Sequence, residues 1–267
     1  MLNIPTPLTY QGGKQRIADQ ILDIINPDPS DFFNDLCCGS GAMSIALVNR
    51  GFPVNKIRMI DQGPWGLFWQ AIGNGSFDLK EFKRHVDNVP KKIELIQPYI
   101  KELSKQPADQ DTIYVYLLLQ ASSFGGKALW IKDNRWQNSS FRNYWLPTAT
   151  SNRKSPVNPM MPMPGSLYKR ISEIAEKMVG LEGQCRDLTD VNDFSGTIYI
   201  DPPYMNTTFY GHKLNVVEFA KTIKSKCYVS EGVSLSDQSW QITSTRLKGG
   251  ISGLRKSLNE EWLSLLN

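Results

Sequence analysis

The chain has 267 residues, of which 40% are hydrophobic and 21% charged, and its formal net charge is +4 at pH 7. This composition is typical of a globular protein with one large core, or with a core domain and a smaller insert. No apolar run reaches the ~18 residues of a membrane span, and the first residues lack the features of a signal peptide. We therefore expect a cytoplasmic protein without a membrane partner.

Cysteine and histidine are too few for several common kinds of site. The four cysteines include no C-x-x-C pair, which argues against a zinc ribbon or a thioredoxin-like redox centre. The two histidines, His85 and His212, argue against a histidine-rich metal site and weaken any catalytic triad. No G-x-x-x-x-G-K-[ST] motif supports a nucleotide-hydrolysing P-loop. No metal is expected.

In the first part of the chain, short apolar strands alternate with helices. Apolar residues at helical spacing predict a helix over 15–25, ended by Asn26-Pro27. Buried strands are predicted over 32–38 and 57–60, on either side of a helix over 42–49. The further helical segments are 68–72, 82–86, 91–104 and 113–122, of which the last is apolar on all sides.

The second part begins with a long irregular segment, 123–165, which ends in an extended linker over 156–164 with four prolines. The regular elements that follow are a helix over 167–178, a strand over 197–200, a helix over 216–224, a strand over 227–230 and a weak strand over 241–247. This alternation predicts a mostly parallel α/β sheet with helices on both faces. It divides the chain into a discontinuous main domain, 1–110 and 166–267, and an insert, 111–165.

Positive charge is concentrated in and just after the insert. Residues 121–170 contain eight basic side chains and a single acid, a net charge of +7 in a chain that totals only +4. The same stretch contains Trp130, Trp136, Tyr144 and Trp145, which argue against simple disorder. A basic segment of this kind indicates a polyanionic partner.

An unusual motif follows the predicted strand 197–200: Asp201-Pro202-Pro203-Tyr204. In an open α/β sheet, ligands bind at the carboxyl ends of the strands. The motif supplies a hydrogen-bond acceptor, a rigid turn with exposed carbonyls and an aromatic stacking face. This combination suits the binding of a planar base through its amino group.

Two further features favour a nucleoside-like cofactor when they are taken together. Gly39-Ser40-Gly41 forms a glycine turn between a strand and a helix, and Asp61 ends the next strand about twenty residues later. Each alone is compatible with an ordinary tight turn or a strand-end acid. Gly12-Gly13 precede Lys14, which can neutralise a carboxylate near the first helix.

These motifs resemble those of Dam-type adenine-N6-specific DNA methyltransferases, including phage members. The resemblance runs in order through most of the chain, from about residue 5 to residue 235. It is carried by Gln11-Gly12-Gly13-Lys14, Cys38-Gly39-Ser40-Gly41-Ala42, Asp61, Asp201-Pro202-Pro203-Tyr204, Asn206-Thr207-Thr208 and Tyr210, and the segment 114–127 is similar to the entry of the family's target-recognition region.

The resemblance implies a Rossmann-like methyltransferase fold, S-adenosylmethionine (AdoMet) as cofactor, and methyl transfer to the N6 amino group of a flipped adenine. Asp201, Pro202, Pro203 and Tyr204 would be catalytic. Tyr10 and Lys14 would lie near the methionine end of AdoMet, Asp35 and the Gly39, Ser40 and Gly41 turn would line its pocket, Asp61 would bind the ribose, and Asp187 would lie near the adenine.

The expected partner is double-stranded DNA, with single-stranded DNA also open. The candidate DNA-binding residues are Lys127, Lys132, Arg135, Arg142 and Arg153, and the arginines are candidates for guanine contacts. The compact form suggests a phage or mobile element, and the expected location is the cytoplasm of a bacterial cell or a phage-infected host. Restriction-modification is a function that the resemblance alone brings into consideration.

The sequence departs from the family in three places. Asp35-Leu36-Cys37-Cys38 replaces an acid, Pro and Phe before the glycine turn, and Ser123-Phe124-Gly125-Gly126 replaces an aromatic-Asn-Gly sequence. Few residues follow Tyr204, so the C-terminal strands are expected to be short. The first and third departures leave open a non-catalytic DNA-binding protein that keeps this fold. The aromatic-rich basic segment also leaves open an amino-methyltransferase that acts on RNA or single-stranded DNA.

Overall fold

The computed structural model describes residues 2–109, 111–191, 194–204, 214–249 and 255–267. The motif residues Asn206, Thr207, Thr208 and Tyr210, as well as His212, lie outside the described residues. The strands are β1 (Phe33–Leu36), β2 (Ile57–Asp61), β3 (Trp130–Lys132), β4 (Arg135–Gln137), β5 (Glu182–Cys185), β6 (Thr197–Ile200), β7 (Cys227–Glu231), β8 (Ser239–Gly249) and β9 (Arg255–Leu265).

Seven of these strands form one sheet, in the order β5-β2-β1-β6-β7-β9-β8. The first five strands of that order are parallel, and β9 and β8 continue the sheet in antiparallel pairing. Leu36 pairs with both Ile60 and Ile200, so the carboxyl ends of β1, β2 and β6 are level. The predicted mostly parallel sheet is confirmed, and the residues that follow these three strands lie at one edge.

The predicted helices are also present, with bounds that differ by a few residues at some ends. The helices are α1 (Ala18–Ile25), α2 (Ala42–Asn49), α3 (Pro64–Gly73), α4 (Leu79–Asp87), α5 (Ile93–Leu103), α6 (Thr112–Ser122), α7 (Pro164–Lys177) and α8 (Val216–Lys221). Pro64 begins α3 because proline, which has no N–H, is tolerated in the first turn of a helix. No helix in the described part of the chain is long and apolar enough to cross a bilayer.

The two faces of the sheet have separate cores, so helices on both faces are confirmed. The larger core combines helices α1 to α7 with sheet residues such as Phe33, Met59 and Tyr199. The smaller core packs α8 against the opposite face, where Ile198 and Ile200 are fully buried. Because side chains alternate between faces along a strand, Tyr199 and its two neighbours in β6 point to different cores.

The segment predicted to be irregular contains little regular structure, but it is tied to the main core. It has a 3-10 turn at Phe124–Gly126, the β3–β4 hairpin and two isolated bridges, Ser123–Phe141 and Trp145–Val157. The extended linker predicted over 156–164 is wrong at its last residue, because α7 already begins at Pro164, and proline is tolerated in the first turn of a helix. Within the segment, Met160 is fully buried in the main core.

The expectation of short C-terminal strands is also wrong. β8 and β9 have 11 residues each and pair along almost their whole length, from Ser239–Ser264 to Gly249–Arg255. The weak strand predicted over 241–247 is confirmed as the middle of β8. The alternation of apolar residues along β8 is weak, and β8 and β9 form a long antiparallel pair at the edge of the sheet. The hydrogen bonds between these strands stabilise β8 in spite of its weak alternation.

Candidate active site

A cavity of about 790 Å³ lies at the level carboxyl ends of the parallel strands. Residues predicted for different roles, and far apart in sequence, line this one cavity. They are Tyr10, Lys14, Asp35, Gly39, Ser40, Asp61, Asp187, Asp201, Pro202, Pro203 and Tyr204. Gly41 is the one predicted cofactor residue that does not line the cavity.

The glycine turn is shaped by the core below it. Gly39 and Gly41 both have positive φ angles, 49° and 74°. The indole nitrogen of Trp69 donates to the Gly39 carbonyl oxygen at 2.8 Å, and a Cβ at Gly41 would overlap the Trp69 ring. Gly41 is therefore required by packing against α3, and its predicted contribution to cofactor binding stays a prediction.

Two buried carboxyl groups support this turn and its helix. Asp35 accepts hydrogen bonds from the backbone N–H and the hydroxyl of Ser44, at 3.2 and 2.6 Å. Asp61 Oδ2 accepts from the Gly39 N–H at 2.8 Å. Burial raises the pKa of Asp35 and of Asp61 to about 7, so both are on the border of ionisation at neutral pH.

Asp187 lies on the far side of the cavity from the motif that follows β6. Its Oδ1 accepts from the backbone N–H of Thr189 at 2.9 Å, at the start of a 3-10 turn, Leu188–Asp190. Its Oδ2 accepts from the side-chain amide of Gln62 at 2.5 Å. Gln62 directly follows Asp61, so the two acids predicted for the nucleoside part of the cofactor are connected through one residue.

Lys14 forms a buried ion pair with Asp201. Its Nζ lies 2.6 Å from Asp201 Oδ1 and 3.0 Å from the Gly12 carbonyl oxygen, and only 4% of Lys14 is exposed. Burial lowers the pKa of Lys14, but the charges of Asp201 and Glu261 outweigh it and raise the pKa above its usual value. Burial also raises the pKa of Asp201 to about 6, against the opposing effect of Lys14.

Tyr204 and Glu261 complete this group. The Tyr204 hydroxyl donates to Glu261 Oε1 at 2.5 Å, and Lys14 Nζ lies 5.0 Å from the centre of the Tyr204 ring. Glu261 Oε1 is also 3.5 Å from Lys14 Nζ. The sequence alone does not single out Glu261, because it is one of several acids in a weakly patterned strand that only sheet pairing brings to the cavity.

Aromatic residues form part of the cavity wall, and besides Tyr204 only Tyr10 among them is predicted as a site residue from the sequence. Trp65 from α3 packs edge-on against Tyr10 and against Tyr116 of α6, with ring centres 5.7 and 5.3 Å apart. Trp130, at the start of the β3–β4 hairpin, also lines the cavity. The insert therefore borders the same cavity as the glycine turn and the motif at 201–204.

The basic residues predicted to bind DNA differ in exposure. Lys132, Arg135 and Arg153 are exposed, whereas Lys127 is half-buried. Arg142 is also half-buried: its Nε donates to the Ser123 carbonyl oxygen at 3.0 Å, and burial lowers its pKa. Arg142 thus holds the beginning of the insert together, and its predicted contact with guanine stays a prediction.

Outside the cavity, three metal-ligating side chains converge in the described part of the chain. Glu81 and His85 of α4 meet Asp111, with the ligand atoms all within 4.8 Å of one another. The Arg84 guanidinium already contacts this group: its Nη2 lies 3.2 Å from His85 Nε2 and 3.4 Å from Asp111 Oδ2. Arg84 thus supplies the positive charge that pairs with the carboxylates of Glu81 and Asp111.

No protein-family model matches the chain, and no curated protein matches it in sequence.

Proposed function

We propose that this chain is an AdoMet-dependent DNA methyltransferase that transfers a methyl group to the N6 amino group of adenine. The observation that carries the proposal is the shared cavity. Asp201, Pro202 and Tyr204 line it together with the Gly39 turn and Asp61. Groups suited to an amino-bearing base and groups suited to a nucleoside cofactor thus open into one space at the carboxyl edge of the sheet.

The residues on the Gly39 side of the cavity fit AdoMet. Asp61, the last residue of β2, lines the cavity and offers a carboxylate for the two ribose hydroxyls. The cavity volume, about 790 Å³, is within the range of ligand pockets. AdoMet supplies a methyl group on a positively charged sulfonium, and such a cation would favour the ionised forms of the buried acids Asp35 and Asp61, whose pKa burial raises to about 7.

On the other side of the cavity, Asp201 and Pro202 act on the adenine amino group. The lone pair of this nitrogen is delocalised into the ring, so the amine is a weak nucleophile. The Asp201 carboxylate and the Pro202 carbonyl would accept hydrogen bonds from its two N–H groups and so direct the lone pair toward the methyl group. Lys14 contacts Oδ1 of Asp201, and we assign Oδ2 to the amino group. As the new N–C bond forms, the bond between the methyl carbon and the sulfonium sulfur would break, and S-adenosylhomocysteine would leave with its electron pair. The surplus proton of the amine would then pass to Asp201 or to water, so no covalent intermediate with the protein is needed.

The target base must leave the duplex before it can reach this cavity, at a cost of a few kcal/mol. Stacking on the Tyr204 ring, worth roughly 1–3 kcal/mol per base, offsets part of that cost. The exposed basic residues of the insert would contact phosphates and hold the duplex beside the cavity. Since Trp130 links the insert to the cavity wall, binding of DNA there would bring the flipped base near Tyr204.

The experiment that tests the proposal is transfer of tritiated methyl from AdoMet, with nucleoside analysis of the product. Duplex DNA, single-stranded DNA and RNA are compared as substrates. Label in N6-methyladenine from duplex DNA supports the proposal. Label confined to single-stranded DNA or RNA favours the alternative substrate. No label on any nucleic acid, together with no binding of AdoMet in calorimetry, favours a non-catalytic DNA-binding protein.

A further inference from the structure

Glu261 lies where the antiparallel end of the sheet meets the cavity. Its neighbour Trp262 pairs with Glu231, the last residue of β7, so this part of β9 lies beside the carboxyl ends of the parallel strands. The Glu261 side chain lines the cavity and is only 14% exposed. A glutamate this well buried needs partners, because an isolated charge in such surroundings is costly.

The first partner of Glu261 is the Tyr204 hydroxyl, at 2.5 Å. A hydrogen bond to a carboxylate is shorter and stronger than one between neutral groups. The bond holds the far end of the phenol ring, whose near end is already attached to the rigid Pro202-Pro203 turn. Both ends of the ring are thus fixed, as a stacking face for a base requires.

The second partner is Lys14, whose Nζ lies 3.5 Å from Glu261 Oε1 and 2.6 Å from Asp201 Oδ1. The ammonium is thus shared between two carboxylates, and it also lies over the Tyr204 ring. Lys14 contacts all three other members of this group, Asp201, Tyr204 and Glu261, and Tyr204 and Glu261 also contact each other. Removal of one member changes the geometry of the rest.

We propose that Glu261 is a positioning residue, which fixes the Tyr204 ring for stacking and holds the Lys14 ammonium beside Asp201. This inference rests on the proposed methyl transfer, because it names the residue that orients the groups acting on adenine. Glu261 does not touch the reacting atoms. It acts through Tyr204 and Lys14, so its loss lowers the fraction of bound bases that are correctly oriented.

The test uses three variants of the full chain: Glu261→Gln, Tyr204→Phe and the double variant. Glu261→Gln keeps an acceptor for the tyrosine hydroxyl but removes the charge, whereas Tyr204→Phe keeps the ring and removes the donor. Each is expected to lower kcat by about tenfold or more, since each weakens a charge-assisted hydrogen bond. The kcat of the double variant is expected to be at most about twofold lower than that of the less active single variant, because both changes affect the same bond.

A second readout separates positioning from simple folding support. Asp201 is surrounded by other titratable groups, namely Lys14, Asp35, Cys37, Asp61, Tyr199, Tyr204, Glu231 and Glu261. The negative charge of Glu261 raises the pKa of Asp201, and Glu261→Gln removes that charge. We therefore expect the acid limb of the pH–kcat profile to move to lower pH in Glu261→Gln. A merely structural role would reduce the active fraction and leave the limb in place.

Glu218→Gln is the matched control, because Glu218 is an exposed glutamate of α8 paired only with Lys221 among the described residues. It is expected to keep the wild-type kcat and pH profile. Wild-type kcat and an unshifted acid limb in Glu261→Gln overturn the positioning role while the methyltransferase proposal stands. Fully multiplicative effects in the double variant also overturn it. A wild-type protein that transfers no methyl group to any nucleic acid overturns both.

Discussion

Several charged side chains of the cavity are buried and paired, whereas most of those of the basic insert are exposed to solvent. In the cavity, Lys14 and Asp201 are buried and paired at 2.6 Å, and Asp35 and Asp61 accept hydrogen bonds from the α2 region and the glycine turn. In the insert, Lys132 and Arg135 are exposed, and Arg153 donates to the backbone oxygen of Ser155 nearby. The same kinds of residue thus serve as fixed partners in one region and as solvated charges in the other.

This difference indicates what each region can contribute. Buried charges interact strongly because little water screens them, and their fixed partners give them one orientation. Exposed charges are screened over about 8 Å at physiological salt, so they attract a polyanion without orienting it closely. We therefore expect changes in the cavity to affect the chemical step, and changes in the insert to affect binding and its dependence on salt.

The largest effect is expected from Asp201→Ala. In the proposed reaction, the substitution removes the carboxylate that would direct the adenine lone pair, so we expect kcat to fall by about a thousandfold or more. AdoMet affinity, measured by calorimetry, should change by no more than a few-fold. Asp237→Ala, at an exposed aspartate of the same part of the chain, is the control. Methyl transfer that survives within a few-fold of wild type would show that Asp201 has been assigned wrongly.

The next effect concerns the insert. The triple variant Lys132→Gln, Arg135→Gln, Arg153→Gln removes three exposed charges. If these contact phosphates, the slope of log K against log salt becomes shallower by about 0.9 per contact, and KM for duplex DNA rises far more than kcat falls. Fluorescence anisotropy over a salt series measures the slope.

A triple variant at exposed lysines elsewhere, Lys101→Gln, Lys105→Gln, Lys221→Gln, controls for net charge alone. An equal change of slope in both triple variants would mean that the insert has no special part in binding. Affinity of the wild-type protein that does not depend on salt would contradict duplex binding through phosphates altogether, and with it the contrast between the two regions.

A smaller effect is expected on stability. Burial raises the pKa of Asp61 to about 7, so the folded state favours its protonated form. This contribution is fully present below about pH 4 and is lost as the pH rises to about 7. Asp61→Asn removes the ionisation while leaving an acceptor for the Gly39 N–H. We therefore expect Tm at pH 8 to rise by several degrees in the variant without cofactor, as measured by differential scanning fluorimetry.

Asp28→Asn provides the comparison of opposite sign. Asp28 is exposed, and hydrogen bonds from Ser30 lower its pKa, so its ionised form is the one that the fold favours. Its replacement should not raise Tm at pH 8. Parallel Tm–pH curves for wild type and Asp61→Asn would mean that folding does not raise the pKa of the Asp61 carboxyl group, contrary to what its burial indicates.

The substitution expected to change the site least is at Gly41, where the main effect is on the stability of the fold. A Cβ there would overlap the Trp69 ring, so Gly41→Ala should lower the free energy of unfolding by about 1–3 kcal/mol. Gly51→Ala is the matched control, because Gly51 also has a positive φ but no atom within 4 Å of the added Cβ. Urea unfolding measures both. Equal losses would attribute the cost to backbone strain and not to packing against α3.

Much of the fold and part of the site could be predicted because the signals are local. Apolar periodicity predicts each parallel strand and helix, and a short motif after a strand predicts its own position at the sheet edge. Asp61 and Asp201 could be assigned to one edge because parallel strands end together. Gly39-Ser40-Gly41 could be assigned to a turn, since glycine tolerates the positive φ that the turn needs.

Other features depend on contacts between residues distant in the chain. Lys14 and Asp201 are 187 residues apart, and no local pattern reveals that they form an ion pair. Glu261 reaches the cavity only through the antiparallel pairing of β9 with β7, and Gly41 is required because Trp69 fills the space beside it. The sequence by itself determined the order of elements and the strand-end motifs, because these follow from periodicity and backbone chemistry. The tertiary structure alone decided which charges become partners, because burial and pairing are properties of the packed chain.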